Sequence, residues 1–252
     1  MSNLPVVPTD IDDTRNLPYV PDYPLPAKSF AMYFVGCPKS GKTNLVFSLL
    51  LGNSLKKQKN VSRNRYYNKF FDKVHLISGS LSTLPDVVRK SLPENQQHSG
   101  YNDELMMQIV NDMKAGPNGN NLIILDDVVK NMTKRSGSVL FPVFANRRHI
   151  THDGDPKKNK IKGGLSLITT SQKYTMLDSM YRNAQSHVFI FRCSNKLELE
   201  KIKDELMSDL TKDQQNEVLD IAWQDDHGFL MIAMQEPKHN KYFKNFSPIL
   251  ID

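Results

Sequence analysis

Eight residues, "GCPKSGKT" (Gly36 to Thr43), lie between the apolar run "FAMYFV" and the helix-like run "NLVFSLLL". The spacing of Gly36, Gly41, Lys42 and Thr43 fits G-x-x-x-x-G-K-[ST], a pattern made strong here by the strand before it and the helix after it. The glycines let backbone N–H groups converge on phosphate oxygens, and the following helix turns its positive end toward them. Lys42 is placed to neutralise the β and γ charge. The segment Gly36, Cys37, Pro38, Lys39, Ser40, Gly41, Lys42 and Thr43 is therefore the expected cradle for the phosphates of ATP, with the Thr43 hydroxyl offered to Mg²⁺.

A metal-bound triphosphate also needs a carboxylate at the end of a neighbouring strand, and "LIILDD" supplies two. Asp126 is the expected Mg²⁺ partner, mostly through water, and Asp127 the residue that orients or deprotonates the attacking water. Asp127 is shorter than the Glu common at this position in related ATPases. Gln172, just beyond "LSLITTS", stands at the tip of a strand where a polar side chain can sense the γ-phosphate. Arg147, Arg148 and Arg182 are candidates to stabilise transition-state charge on a neighbouring subunit's nucleotide.

These residues need a frame. Six apolar runs read as strands: "FAMYFV", "KVHLIS" from Lys73, "NLIILD" from Asn121, "LSLITT" from Leu165, "HVFIFR" from His187 and "FLMIAM" from Phe229. Helix-period segments lie between them, at Thr43 to Leu51, Asp103 to Lys114, Val139 to Arg147, Met176 to Arg182, Asn195 to Leu206 and Asp213 to Trp223. That alternation predicts an α/β fold, a mainly parallel sheet with helices on both faces. At 252 residues and 39% hydrophobic content, one sizeable domain is expected. Residues 1–28 are Pro-rich and mildly acidic and read as an extended arm, disordered or laid on a neighbouring subunit, ahead of a domain spanning 29–252.

The net charge is +6 and the pI about 9.1, a balance compatible with anionic partners but weak evidence alone. Two basic stretches break the rhythm. One, Lys56 to Lys73, carries Lys57, Lys59, Arg63, Arg65 and Lys69 among aromatic residues and reads as packing plus solvated surface. The other, an insertion loop over 147–164, is long enough to suggest function or disorder. Cys37 and Cys193 are the two cysteines, far apart in sequence, which predicts no disulfide framework and a reducing compartment. No signal peptide and no transmembrane segment are read. His149, His152, Asp153 and Asp155 have a metal-like spacing but read as a solvated turn. "NKLE" (Asn195 to Glu198) resembles a guanine reader but is better taken as a helix cap with Glu198 as its reciprocal partner.

Taken together, "YFVGCPKSGKTNLVFSLL", "LIILDD", "FANRRH", "LITTSQKY" and "MYRNAQSHVFIF" resemble the viral genome-packaging ATPases of the FtsK–HerA superfamily, found in large eukaryotic double-stranded DNA viruses and virophages. The resemblance covers roughly residues 29–192. It implies a RecA-like P-loop NTPase sheet in which the "LSLITT" strand lies between the phosphate-loop strand and the Asp126 strand. It further implies a homo-oligomeric ring (pentamer or hexamer), ATP at subunit interfaces, double-stranded DNA drawn through the centre and a capsid or portal component that recruits the motor. On that reading the protein is virion-associated or in the host cell cytoplasm, at the virus factory, and Lys157, Lys158, Lys160 and Lys162 contact DNA phosphates. A helicase or conjugation-type DNA pump on the same fold, and a nucleotide-dependent assembly scaffold, are the alternatives.

Overall fold

Strands covered on both faces have no reason to alternate polar with apolar residues, and the central runs of this chain do not alternate. A computed structural model describes residues 17–52, 66–115, 119–129, 139–150 and 164–251. β1 (Ala31–Val35), β4 (Asn120–Asp126) and β5 (Gly164–Ser171) are buried along their whole length. Together with β2 (Lys73–Ser78), β3 (Gln97–Ser99), β6 (His187–Phe191), β7 (Phe229–Ala233), β8 (Tyr242–Lys244) and β9 (Ser247–Pro248) they form one sheet ordered β3-β2-β4-β5-β1-β6-β7-β8-β9. β3 to β6 in that order run parallel, and β7, β8 and β9 continue antiparallel. β5 therefore lies between the phosphate-loop strand β1 and the acid strand β4.

Two cores follow from the period of two in each strand. Tyr33, Ile123, Leu125, Leu167, Val188 and Ile190 face one side, packed with α3 (Asp103–Ala115), α4 (Leu140–Asn146), α6 (Lys196–Leu206) and α7 (Lys212–Ala222). Met32, Phe34, Leu122, Ile124, Ile168 and Phe189 face the other, against α1 (Lys42–Leu51), which buries Val46, Phe47, Leu49 and Leu50. Phe34 and Phe189 stack with centroids 4.2 Å apart across β1 and β6. The helical face of α6 is as its spacing demands, with Ile202 and Leu206 buried and Leu199 packed beside them.

Three local expectations are revised. The segment Met176 to Arg182 is not one helix. A 3₁₀ turn, Tyr174–Met176, is followed by extended Leu177 and Asp178, and Asp178 caps the four-residue α5 (Ser179–Arg182) by accepting from Met180 N–H. Asn195 caps α6 by accepting from Leu197 and Glu198 N–H, but Glu198 does not reciprocate: its carboxylate accepts from Thr175 N–H and Oγ1 instead. A short helix, α2 (Asp86–Arg89), and the short strands β3, β8 and β9 are additions, too brief to leave a periodic signal.

The described part of the arm lies on the chain's own domain. Pro21, Pro24 and Leu25 are buried, the Tyr19 hydroxyl donates to the Asn68 carbonyl at 2.7 Å, and the Tyr67 hydroxyl donates to the Pro26 carbonyl at 2.7 Å. Tyr23 meets Phe243 edge-on. Tyr67 and Phe70, from the first basic stretch, are buried against Phe30 and the arm. Residues 1–16, and Lys57, Lys59, Arg63 and Arg65, lie outside the described residues, as do His152, Asp153, Asp155, Lys157, Lys158, Lys160 and Lys162. Among the described residues no helix is long and apolar enough to cross a membrane.

Candidate active site

All parallel strands end on one edge of the sheet, and there the chain leaves β1 into the glycine-rich loop. Gly36 has no space for a side chain, since a Cβ would lie 2.6 Å from Ser40 Oγ and 2.7 Å from Phe191 Cβ. Gly41, with φ of 106°, takes the left-handed conformation that turns the loop into α1. No side chain caps α1 and no acidic residue occupies its first turn. Its positive end is therefore left for an external anion. Ser40 Oγ is buried without a partner in the same loop. Lys42 is 6% exposed; its ammonium donates to the carbonyls of Gly36 at 2.6 Å and Cys37 at 3.1 Å, holding the loop around itself. Burial pulls its pKa below the usual lysine value, with Asp127 and then Asp126 opposing that fall.

The acid strand reaches the loop through α1. Ser78, Asp126 and Thr170 form one row across β2, β4 and β5, in direct register and on the face that α1 covers. Ser78 Oγ donates to Asp126 Oδ2 at 3.0 Å and Thr170 Oγ1 donates to Oδ1 at 2.9 Å. Thr43 Oγ1, on the first turn of α1, donates to the same Oδ1 at 3.4 Å. Burial raises the pKa of Asp126, while the bonds from Thr170, Ser78 and Thr43 lower it and the charge of Asp127 raises it. The long Thr43–Asp126 contact brings together two oxygens of the kind that ligate Mg²⁺, a small cation that keeps water and substrate phosphates as its other ligands. The residues present thus fit Mg²⁺ and a triphosphate.

Asp127 is exposed, in the left-handed region with φ of 52°, which Asp tolerates better than most residues. Its N–H donates to Thr170 Oγ1 at 3.0 Å, so one hydroxyl fixes both acids. Gln172 follows β5 directly, next to the loop: Gly36 N–H donates to the Ser171 carbonyl, and the Gln172 side chain is exposed. The Tyr33 hydroxyl lies 2.6 Å from Ser171 Oγ and 3.0 Å from the carbonyls of Lys173 and Tyr174, bracing the turn that carries Gln172.

The arginines are not brought to this site. Arg147 is buried at the opposite, amino end of the strands, donating to the carbonyls of Ser29 and Phe144 at 2.7 and 2.8 Å. Its own carbonyl pairs with Leu165 N–H at the start of β5, roughly 20 Å of extended chain from Ser171. Burial and the adjacent Arg148 lower its pKa to about 10. Arg182, also buried, forms a two-pronged bond with Glu205 at 2.9 and 2.8 Å, donates to the Leu177 carbonyl at 2.6 Å and covers the Tyr174 ring at 4.9 Å. Both guanidiniums are engaged within this chain's own fold rather than directed at its phosphate loop. Arg148, at the same amino end as Arg147, is half-buried and the most accessible of the three.

Thr170, Ser78 and Tyr33 were not among the sequence-derived site residues. Thr170 and Ser78 were legible in principle as hydroxyls ending otherwise apolar strands beside an acid. Tyr33, inside an apolar run, carried no such mark.

A sheet with β5 between β1 and β4, and with the loop and the acid meeting at its carboxyl edge, defines a RecA-like P-loop NTPase fold. No protein-family model matches the chain, and no curated protein matches it. Solved structures do. The DNA-packaging ATPase B204 of Sulfolobus turreted icosahedral virus is similar with a TM-score of 0.56 at 14% identity, over 88% of this chain and 99% of that one. The genome-packaging NTPase B204 of Sulfolobus turreted icosahedral virus 2 gives 0.52 at 14% identity in its complex with sulfate, over 90% and 100% of the two chains. With ATP-gammaS it gives 0.51 at 15%, over 88% and 98%. The chain has the fold of these packaging NTPases over nearly their whole length.

Proposed function

We propose that this chain is an ATP-hydrolysing motor that translocates double-stranded viral DNA into a capsid. The observation that carries the reading is the approach of Thr43, on the phosphate-loop helix, to Asp126, on the acid strand. In a P-loop NTPase that pair holds Mg²⁺, which neutralises charge on the β- and γ-phosphate oxygens. Lys42 binds the phosphates, Asp127 orients or deprotonates the attacking water, and Gln172 reports the state of the γ-phosphate to the turn braced by Tyr33. The likeness to B204, a packaging NTPase solved with ATP-gammaS, supports ATP as the ligand and DNA packaging as the task.

One domain of this size does not encircle a duplex, so the motor works as a homo-oligomeric ring, with Arg148, the least buried of the three arginines, the first candidate to act in trans and the 147–164 loop directed at DNA phosphates. A capsid or portal component recruits it, in the virion or in the cytoplasmic virus factory. The test is the ATPase rate with and without blunt duplex DNA, on material whose oligomeric mass is measured in parallel. DNA-stimulated turnover that Lys42→Ala and Asp127→Asn each abolish is expected. An assembled ring that does not hydrolyse ATP would instead make the chain a nucleotide-dependent scaffold, and unwinding of a forked duplex would make it a helicase.

A further inference from the structure

A triphosphate held by Thr43 and Asp126 has a direction. β4 lies two strands from β1 on one side, about 10 Å away, so the metal and the terminal phosphate belong on that side of the loop. The nucleoside end must leave toward the other side, over β6 and β7. There the surface is hollow. A cavity of about 570 Å³ is lined by the loop, the first turn of α1 at Asn44 and Leu45, and Phe191, His227 and Phe229. A second, of about 320 Å³, shares Lys39, Ser40, Phe191 and His227 with it and extends to Arg192 and Asp226. Such volumes are those of small-molecule sites.

Resting on the proposed P-loop chemistry, we infer that the end of β6 and the turn before β7 form the nucleoside subsite, with the His227 ring as the platform on which the base stacks. His227 is held in the left-handed region at φ of 64°, and its Nδ1 donates to the Ser40 carbonyl at 3.2 Å. Its ring is thereby fixed beside Gly41, 3.7 Å from where a Cβ would stand. Phe191 and Phe229, in register across β6 and β7 with centroids 5.4 Å apart, make an apolar floor. Asp225 is engaged by Lys244 at 3.0 Å, whereas Asp226 is exposed on the cavity wall, where its carboxylate accepts from ribose hydroxyls. The turn that carries His227 lies outside residues 29–192, the stretch that carries the family resemblance, whereas Phe191 and the loop lie inside it.

The experiment is calorimetric titration of magnesium-loaded ATP and of magnesium-loaded inorganic tripolyphosphate into wild type, His227→Ala and His227→Phe, with folding of each checked by thermal melting. Base stacking of the usual strength predicts that His227→Ala weakens ATP by roughly tenfold. Tripolyphosphate affinity should stay unchanged, and His227→Phe should restore ATP. Equal weakening of both ligands in both variants would overturn the inference and reduce His227 to a brace for the Ser40 carbonyl. Unchanged ATP affinity in His227→Ala would overturn it by placing the nucleoside elsewhere. Wild-type protein that binds neither ligand would overturn the P-loop reading itself, a result distinct from the other two.

Discussion

Replacing Thr170 by Val keeps its shape and removes a single hydroxyl, yet that hydroxyl serves both acids. It donates to Asp126 Oδ1 at 2.9 Å and accepts from Asp127 N–H at 3.0 Å. Losing the acceptor leaves the Asp127 N–H unsatisfied, at a cost of about 1–3 kcal/mol, and a hydrogen bond to a carboxylate contributes about 1.5–3 kcal/mol. The added methyl recovers about 0.8 kcal/mol if fully buried. Thr170 is 1% exposed, so water does not reach its side chain, and a net destabilisation of about 2–5 kcal/mol is expected. Thr170→Ser keeps the hydroxyl and loses only a methyl, at about 0.5–1.5 kcal/mol. Urea unfolding of the three proteins at neutral pH should rank wild type, then Ser, then Val. The Val variant should also raise the Asp126 pKa further, because burial already pushes it up and Thr170 is the first of the bonds that offset burial. A Val variant as stable as the Ser variant would refute the assignment of one hydroxyl to both acids.

Arg182→Ala removes the two-pronged pair with Glu205 and should cost about 3 kcal/mol in unfolding free energy. In protein kept folded at low temperature its ATP turnover should stay within about twofold of wild type, and abolished turnover would place Arg182 in the catalytic machinery. Glu205 shares that pair. Burial alone would raise its pKa, but bonds from Arg182, Tyr174 and Lys201 outweigh it and bring the value to about 2. The stability it contributes is thus present above the ordinary carboxylate pKa near 4.5 and lost as pH falls toward 2, a loss that Glu205→Gln should remove from the acid limb. His75, buried on β2, is lowered to about 4 by burial, by His98 at 3.2 Å and by Lys73, with Asp112 opposing. The unfolded chain therefore takes up its proton first, and stability falls as pH drops from 6.5 to 4, by about 3 kcal/mol for this residue. His75→Gln should flatten that limb in a pH series of urea unfolding, and an unchanged slope would refute the assignment. Gly36→Ala should disturb the loop by about 1–3 kcal/mol and weaken triphosphate binding, since its Cβ would meet Ser40 and Phe191 below 3 Å.

What the sequence made legible follows from what leaves a periodic or motif signal. The six long apolar runs each became a strand because both faces of the sheet are covered, and Lys42, Thr43 and Asp126 met because a phosphate loop and an acid strand share one edge. The strands Gln97–Ser99 and Tyr242–Lys244 are three residues each, too short for any period. The break at Leu177 was hidden because Asp178 reads equally as a helix residue and as a cap. The partners of the arginines were hidden for a different reason. A guanidinium held by a distant carbonyl or by Glu205 is indistinguishable in sequence from one that is free, since Glu205 lies 23 residues from Arg182 and Ser29 lies 118 from Arg147. Glu198 shows the same limit: the spacing of a reciprocal cap was present, but Thr175, brought close by the fold, took the carboxylate.

The central claim is that Thr43 and Asp126 jointly hold the metal of a nucleotide seated on Lys42. The most direct measurement is the affinity for ATP with and without Mg²⁺, by calorimetry, in wild type, Asp126→Asn and Thr43→Ala. The account predicts that Mg²⁺ tightens ATP binding to wild type and that this enhancement is lost in both variants while metal-free ATP still binds. An enhancement of the same size in Asp126→Asn, or wild-type protein indifferent to ATP, would contradict it.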